Sequence, residues 1–309
     1  MIQNFEQLLA ETVRVKGKKV VVICPSNHET MSAVIQAHEM GLAQFVLVVE
    51  EKAGKLQIPD GGSALKGIEI IPRTGIPAAL ETSIELIRDK KAHVLMKGGV
   101  DTSTMMRAVL KEDSGLRTGR LLSDIFMFEY PARKENKFIM ITDGGITLAP
   151  DLKDKIELIN NAVEVAHALG NTMPKVAVLS ASEFVNPNLQ STVDAATLAR
   201  MNERGQIKGC IVDGPFALDN AISAEAAVEK RINSVVAGNA EILIAPSIEA
   251  ANCLAKSTTF FAGYRLAHVI VGGKVPILIP SRADKSDAKL LSVALGVMMS
   301  AYYEEKITG

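Results

Sequence analysis

Near the C-terminus a short apolar run, Val275–Ile279, empties into Pro280-Ser281-Arg282, and a helical pattern resumes at about Ser286. The elbow carries a hydroxyl, a guanidinium and two carboxylates, Asp284 and Asp287. Strand, polar elbow, helix is where open α/β proteins place ligands, just outside the carboxyl end of a parallel strand. A guanidinium there can grip an anionic acyl donor, and a carboxylate can steer a proton. The plain alternative is a helix cap with a solvated arginine.

Four further constellations have the same character. In Met96-Lys97-Gly98-Gly99-Val100-Asp101-Thr102-Ser103-Thr104 an apolar run ends in glycines, and hydroxyl residues lead into a helix, a setting that suits an anion. Arg107, one turn further, can point back toward that mouth. The Gly-Lys-Ser/Thr order of a Walker loop is missing, and a simple N-cap by Asp101 or Thr102 is the competing explanation. Thr142-Asp143-Gly144-Gly145 reads as a turn or a ligand contact, with Asp151 capping the helix that follows. Val212-Asp213-Gly214-Pro215 again puts a carboxylate where a strand meets a loop. In Ala245-Pro246-Ser247-Ile248-Glu249-Ala250-Ala251-Asn252, with Lys256 one turn on, small residues let a cofactor arm, a neighbouring subunit or the sheet lie close.

Other chemistries lose support. The five histidines lack metal-ligand spacing, and His93 and His268 border apolar runs as core residues do. Cys24, Cys210 and Cys253 fit neither a disulfide framework nor a zinc site, and the reducing cytoplasm is the expected compartment. There is no Gly-x-Gly-x-x-Gly after a strand and no Gly-x-Ser-x-Gly elbow. A net charge of −1 without blocks of like charge, together with the absence of Trp, speaks against a nucleic-acid groove. Met1–Arg14 has helical spacing with Glu6 and Glu11 rather than a signal peptide's apolar run, and no stretch is long enough for a membrane span.

The elements that must position these residues alternate along the chain. Continuous apolar runs are expected as buried strands at 20–24, 45–49, 68–71, 94–96, 138–142, 176–179, 210–212, 242–245, 268–271 and 275–279. Amphipathic helices are expected at 30–40, 78–90, 104–111, 152–169, 189–204, 249–261 and 289–302. This rhythm predicts α/β architecture with mainly parallel strands. Gly272-Gly273-Lys274 between the last two strands signals a hairpin, hence one antiparallel strand or a crossing between domains. At 309 residues two domains are expected, with the softest boundary at Lys111–Arg120.

Taken in order, GGVDTSTMMRAVL, ITDGGITLAPDL, VDGPFALDNAIS, APSIEAANCLAKS and IPSRADKSDAKL resemble the phosphate acetyl/butyryl transferase family over nearly the whole chain, its butyryl branch most. The resemblance implies two α/β lobes like those of isocitrate and isopropylmalate dehydrogenases, with the active site in the interlobe cleft. Residues 1–118 plus 275–309 would form the first lobe and 119–274 the second. It implies a cytoplasmic homodimer or higher homo-oligomer that interconverts acyl-CoA plus phosphate with acyl phosphate plus CoA. Coenzyme A would be a substrate, with no permanently bound cofactor, no metal, no nucleic acid and no membrane partner.

Carried over residue by residue, Ser281 and Arg282 match the family's Ser-Arg pair and Asp287 its acid. The acetyl-type pattern places that acid slightly later, at Ala288, which keeps Asp284 as a competitor. Arg107, Thr102 and Ser103 match the phosphate-binding loop and its arginine. Asn252 matches the asparagine near the CoA site, and Lys256, Asp213 and Gly214 are grouped with it. On this reading Asp287 takes the thiol proton, Ser281 holds the sulfur, and Arg282 with Arg107 holds the phosphoryl oxygens during direct transfer. The adjacent Met105-Met106 suggests a deformable pocket for butyryl or branched chains. Rival readings are a phosphate acetyltransferase on the same scaffold, a metal-dependent 2-hydroxyacid decarboxylating enzyme, for which the scattered aspartates give little support, and a non-catalytic CoA-binding module.

Overall fold

The computed structural model describes residues 1–51 and 65–308. The chain divides into two compact units, Phe5–Arg120 with Leu266–Gly309 and Met1–Asn4 with Leu121–Arg265. In chain order the first unit begins with α1 (Phe5–Thr12), β1 (Lys19–Ile23), α2 (His28–Glu39), β2 (Gln44–Glu50), β3 (Glu69–Arg73), α3 (Ile76–Arg88), β4 (Val94–Lys97) and α4 (Thr102–Leu110). The second unit holds β5 (Ser123–Glu129), β6 (Phe138–Thr142), α5 (Leu152–Ala168), β7 (Lys175–Leu179), α6 (Gln190–Glu203) and β8 (Ile211–Phe216). It continues through α7 (Leu218–Ile222), α8 (Ala224–Glu229), β9 (Ile242–Ile244) and α9 (Ile248–Phe260). The chain then returns as β10 (Leu266–Val271), β11 (Ile277–Leu278) and α10 (Ser286–Thr308).

The first unit has the strand order β3-β2-β1-β4-β11-β10, parallel except where β10 meets β11 at Ile270 opposite Ile277. The hairpin expected from Gly272-Gly273-Lys274 is therefore present. Strand order reverses between β1 and β4, so their carboxyl ends flank a topological switch point, the position where open sheets leave room for ligands. Because β11 is parallel to β4, the elbow after β11 opens at that same edge of the sheet. Helix α10 is buried along Leu290, Leu291, Val293, Ala294, Leu295, Val297 and Met299, too many faces for a one-sided amphipathic helix. It packs on α1, α2 and β10, which explains why this segment returns to the first unit.

In the second unit the order is β5-β6-β9-β7-β8, with only β5 and β6 antiparallel. Strand β5 was not expected, although residues 125–128 form a continuous apolar run; it opens on the polar pair Ser123 and Asp124. Asn161 on α5 fixes it by donating to the Leu121 carbonyl at 2.9 Å and to Ser123 Oγ at 2.8 Å. Buried Lys155 on α5 pairs with Asp194 on α6 at 2.5 Å.

The units exchange at Leu121 and Leu266, compared with 119 and 275 in the sequence reading. Strand β10 stays with its hairpin partner β11 and with α10. The first four residues join the second unit because the Ile2 N–H donates to the Leu169 carbonyl at 2.8 Å and the Gln3 carbonyl accepts from Lys137 N–H at 3.0 Å.

Candidate active site

The elbow after β11 is a built turn. Asp284 N–H donates to the Ser281 carbonyl at 3.2 Å, and Asp284 Oδ2 accepts the Ser281 N–H at 2.7 Å. The ammonium of Lys289, buried one turn into α10, donates to the carbonyls of Ser281, at 3.1 Å, and Asp284. Glu29 on α2 supplies what the start of α10 needs, accepting the Ser286 N–H at 2.6 Å. His268 on β10 places Nε2 3.7 Å from Asp284 Oδ2. Burial alone would raise the Asp284 carboxyl, but the His268 hydrogen bond and charge, the Ser281 N–H and Lys289 outweigh it and hold it below the usual range. Asp284 thus shapes the elbow as a structural anion. Arg282 and Asp287 stand exposed beside it, and Ser281 is half-buried.

Next to the elbow, β4 ends in Lys97, whose side chain is 4% exposed. Burial lowers its pKa, Arg282 and Lys289 lower it further, and Asp284 and Asp101 oppose them. Gly98 and Gly99 serve the fold more than a ligand. A Cβ on Gly98 would lie 2.4 Å from the Ile23 carbonyl oxygen, and one on Gly99 would lie 2.4 Å from Ser26 Oγ. They let the loop after β4 lie against the loop after β1, with Gly98 N–H donating to Ile23 at 2.9 Å and Gly99 N–H to Cys24 at 2.6 Å. Asp101 caps α4, accepting from Thr104 N–H at 2.9 Å and Ser103 Oγ at 2.7 Å. The Thr104 side chain first, then these two donors, hold the exposed Asp101 carboxyl well below the usual range.

Arg107 donates to Thr104 Oγ1 at 3.0 Å and lines a groove of about 470 Å³ between α3 and α4, with Leu80, Arg88 and Lys111 on its walls. No residue of the 280–289 elbow lines this groove. Thr102 is half-buried and Ser103 exposed at the start of α4. Met105 and Met106 are both buried and line no part of this groove.

In the second unit, Asp143 at the end of β6 is 2% exposed and gathers four backbone N–H groups. Oδ1 accepts from Gly145 at 2.9 Å, Ile146 at 3.1 Å and Asp124 at 3.2 Å, and Oδ2 from Thr147 at 3.0 Å. Burial raises its carboxyl, and neighbouring Asp124 adds to that, while the backbone donors pull the other way. Asn252 on α9 donates to the Gly144 carbonyl at 2.8 Å, and Lys256 stands exposed one turn on. Asp213 turns back to accept its neighbour's Gly214 N–H at 2.8 Å. Gly214 has φ of +152°, and a Cβ there would lie 2.7 Å from the Val178 carbonyl oxygen, which accounts for the glycine by packing alone.

Burial pushes the Cys24 and Cys210 thiols up to about 11, with Glu50 adding to the shift at Cys24, so neither is a ready nucleophile. Among the described residues no group of three or more His, Cys, Asp or Glu is placed to hold a metal ion, and no helix is long and apolar enough to cross a membrane.

Residues the sequence reading did not assign are Lys97, His268 and Asp143. A lysine directly before Gly-Gly at a strand's end was the only available signal for Lys97. His268 meets Asp284 only through the β10–β11 hairpin.

Residues 73–297 match a family model described as "Phosphate acetyl/butaryl transferase". A phosphate butyryltransferase of Clostridium beijerinckii is 42% identical over 97% of this chain and 99% of its own. A phosphate acetyltransferase of Thermotoga maritima is 40% identical over 96% and 100%. Among solved structures, a branched-chain phosphotransacylase from Enterococcus faecalis superposes with a TM-score of 0.82 at 30% identity, covering 92% of this chain and 99% of that one. With an α/β fold of mostly parallel strands and this likeness along nearly its full length, the chain belongs to the phosphate acetyl/butyryl transferase family.

Proposed function

We propose that this enzyme moves a butyryl or short branched acyl group between coenzyme A and phosphate, in both directions. The observation that supports the reading is the elbow after β11, a turn tied by Asp284 and Lys289 that carries Ser281 and an exposed Arg282, with Asp287 exposed in the first turn of α10. Its counterparts in name are the butyryltransferase and the branched-chain transacylase. Likeness to the acetyltransferase is nearly as strong in identity, so acyl length is a matter for measurement.

Free thiols with a pKa near 8.5 are only a few per cent ionised at neutral pH. Asp287 is assigned the proton of the CoA thiol and Ser281 a hydrogen bond to the sulfur. The sulfur then attacks the acyl phosphate carbonyl, and phosphate leaves with its charge held by Arg282 and Arg107. Asp284 is a weaker choice of base, since its oxygens already serve the Ser281 N–H and His268. Thr102 and Ser103 are assigned to the phosphate, and Asn252, Lys256, Asp213 and Gly214 to CoA. No permanently bound cofactor is invoked, and a cytoplasmic homo-oligomer is the expected form.

The test is release of CoA thiol from acetyl-, butyryl- and isobutyryl-CoA with and without inorganic phosphate. Release that requires phosphate, fastest by kcat/KM with butyryl- or isobutyryl-CoA, is the expected result. Folded protein that releases no thiol from any of the three would sink the transferase reading and favour a CoA-binding module.

A further inference from the structure

We infer that Lys97 is a phosphate-binding residue, holding the phosphoryl group of inorganic phosphate or acyl phosphate together with Arg282. The inference rests on the transferase reading of the elbow and adds to it a residue that the motif comparison did not assign.

Lys97 is the last residue of β4, between β1 and β11, so its side chain leaves the sheet at the edge where three loops meet. Its side chain is almost wholly buried, and among the described residues its ammonium has neither a hydrogen-bond nor an ion-pair partner. Buried charges are ordinarily paired, because removing an ion from water costs far more than packing an apolar side chain of the same length. The carboxylates that influence Lys97 are already engaged. Asp284 is held by the Ser281 N–H and His268, and Asp101 by Thr104 and Ser103.

The neighbouring cations do not relieve it. Lys289 is bonded to two carbonyls, and Arg282 likewise has no partner among the described residues. Two cations near enough to repel each other, one of them desolvated, form a site that lacks its anion. Burial lowers the Lys97 pKa most, and the charge of Arg282 lowers it further. A phosphoryl group carries enough negative charge and enough oxygens to satisfy both, whereas a thioester or a thiol does not. Lysine serves phosphate as a point charge, and the arginine fork supplies orientation.

The test compares wild type with Lys97→Met, which keeps the length of the stem and removes the charge. Two readouts are used: KM for phosphate and for butyryl-CoA in thiol release, and the rise in Tm caused by inorganic phosphate without CoA. The expected result is a phosphate KM raised about 10- to 100-fold, the scale of one charged hydrogen bond, with the butyryl-CoA KM changed less than twofold. Phosphate should raise the Tm of wild type and not of the variant. Without phosphate the variant should melt at the same temperature as wild type or higher, because an uncompensated buried charge has been removed. A phosphate KM within twofold of wild type would overturn the inference. So would a change confined to butyryl-CoA, which would assign Lys97 to the phosphates of CoA, or a variant that melts lower without phosphate. If Lys97→Met does not fold, Lys97→Gln is read by the same two measurements. Should wild type release no thiol at all, the transferase reading fails alone, and the phosphate-dependent Tm still decides whether Lys97 binds the anion.

Discussion

Two loops, one in each unit, follow an apolar strand and are organised by a single carboxylate, yet the two carboxylates sit in opposite electrostatic settings. Asp284 faces His268 and Lys289, and its negative charge is favoured. Asp143 lies in a buried pocket with Asp124 beside it, and its negative charge is disfavoured even with four backbone donors. The Asp284 loop has cations left over, Arg282 at its surface and Lys97 beneath it. The loop built by Asp143 turns its hydrogen bonds inward. A carboxylate at the end of a strand therefore does not by itself mark a chemical group. What marks the elbow is the charge remaining after its carboxylate has been satisfied.

The largest effect that would sharpen this contrast is expected from Asp287→Asn. If Asp287 is the base, kcat should fall about 10²- to 10⁴-fold. Stability should change by no more than about 1 kcal/mol, the scale of an acid in the first turn of a helix. Near-normal turnover would return the role to Asp284. Asp143→Ala should cost about 3–4 kcal/mol in urea unfolding, because it removes the acceptor of four backbone N–H groups. A loss below about 1 kcal/mol would mean that water replaces the carboxylate and that the loop is less closed than described.

Arg282→Ala should lower turnover by about two orders of magnitude, the scale of removing one donor from a developing negative charge. Its Tm should be unchanged, since among the described residues Arg282 has no partner to lose. A variant with near-normal turnover would refute the role given to Arg282.

The smallest effect is the pH dependence of the two loops, and its signs are opposite. Because the folded Asp284 carboxyl is held low, its contribution is complete above the ordinary carboxyl pKa of about 4 and is lost as pH falls below it. The stability gap between wild type and Asp284→Asn, about 1.5–3 kcal/mol at neutral pH, should narrow in acid. Asp143 is raised, so its protonated form favours the fold, fully below about pH 4, and that advantage is lost as pH rises through its folded pKa. The gap between wild type and Asp143→Asn should therefore move in the other direction. Parallel pH profiles for the two variants would break the comparison.

Much of this architecture was legible because buried parallel strands are written as short continuous apolar runs. All ten expected strands have counterparts, from β1 near Val20–Cys24 to β11, which shortens to Ile277–Leu278, but edge strand β3 is largely exposed rather than buried. Strand β5 escaped although residues 125–128 form a continuous apolar run; its polar start at Ser123 and Asp124 is satisfied by Asn161 on α5 and by Asp143. The glycines were legible in part. Gly98 and Gly99 read as space for a ligand, and the structure adds a second demand, since a Cβ at either would meet the backbone of Ile23 and Cys24 or the side chain of Ser26.

The sequence by itself determined the order of strands and elbows, the positions of Ser281, Arg282 and Asp287 relative to one another, and the family. Each of these is local, carried by side-chain periodicity and by motifs a few residues long. Which groups at the elbow are already engaged was decided only in three dimensions. Pairing of β11 with β4 brings the elbow alongside the end of β4 that carries Lys97, and pairing of β11 with β10 sets His268 against Asp284. Charge acts through space at a few ångströms and is blind to separation along the chain. The set of charges that meet at this elbow therefore exists only once the sheet has formed.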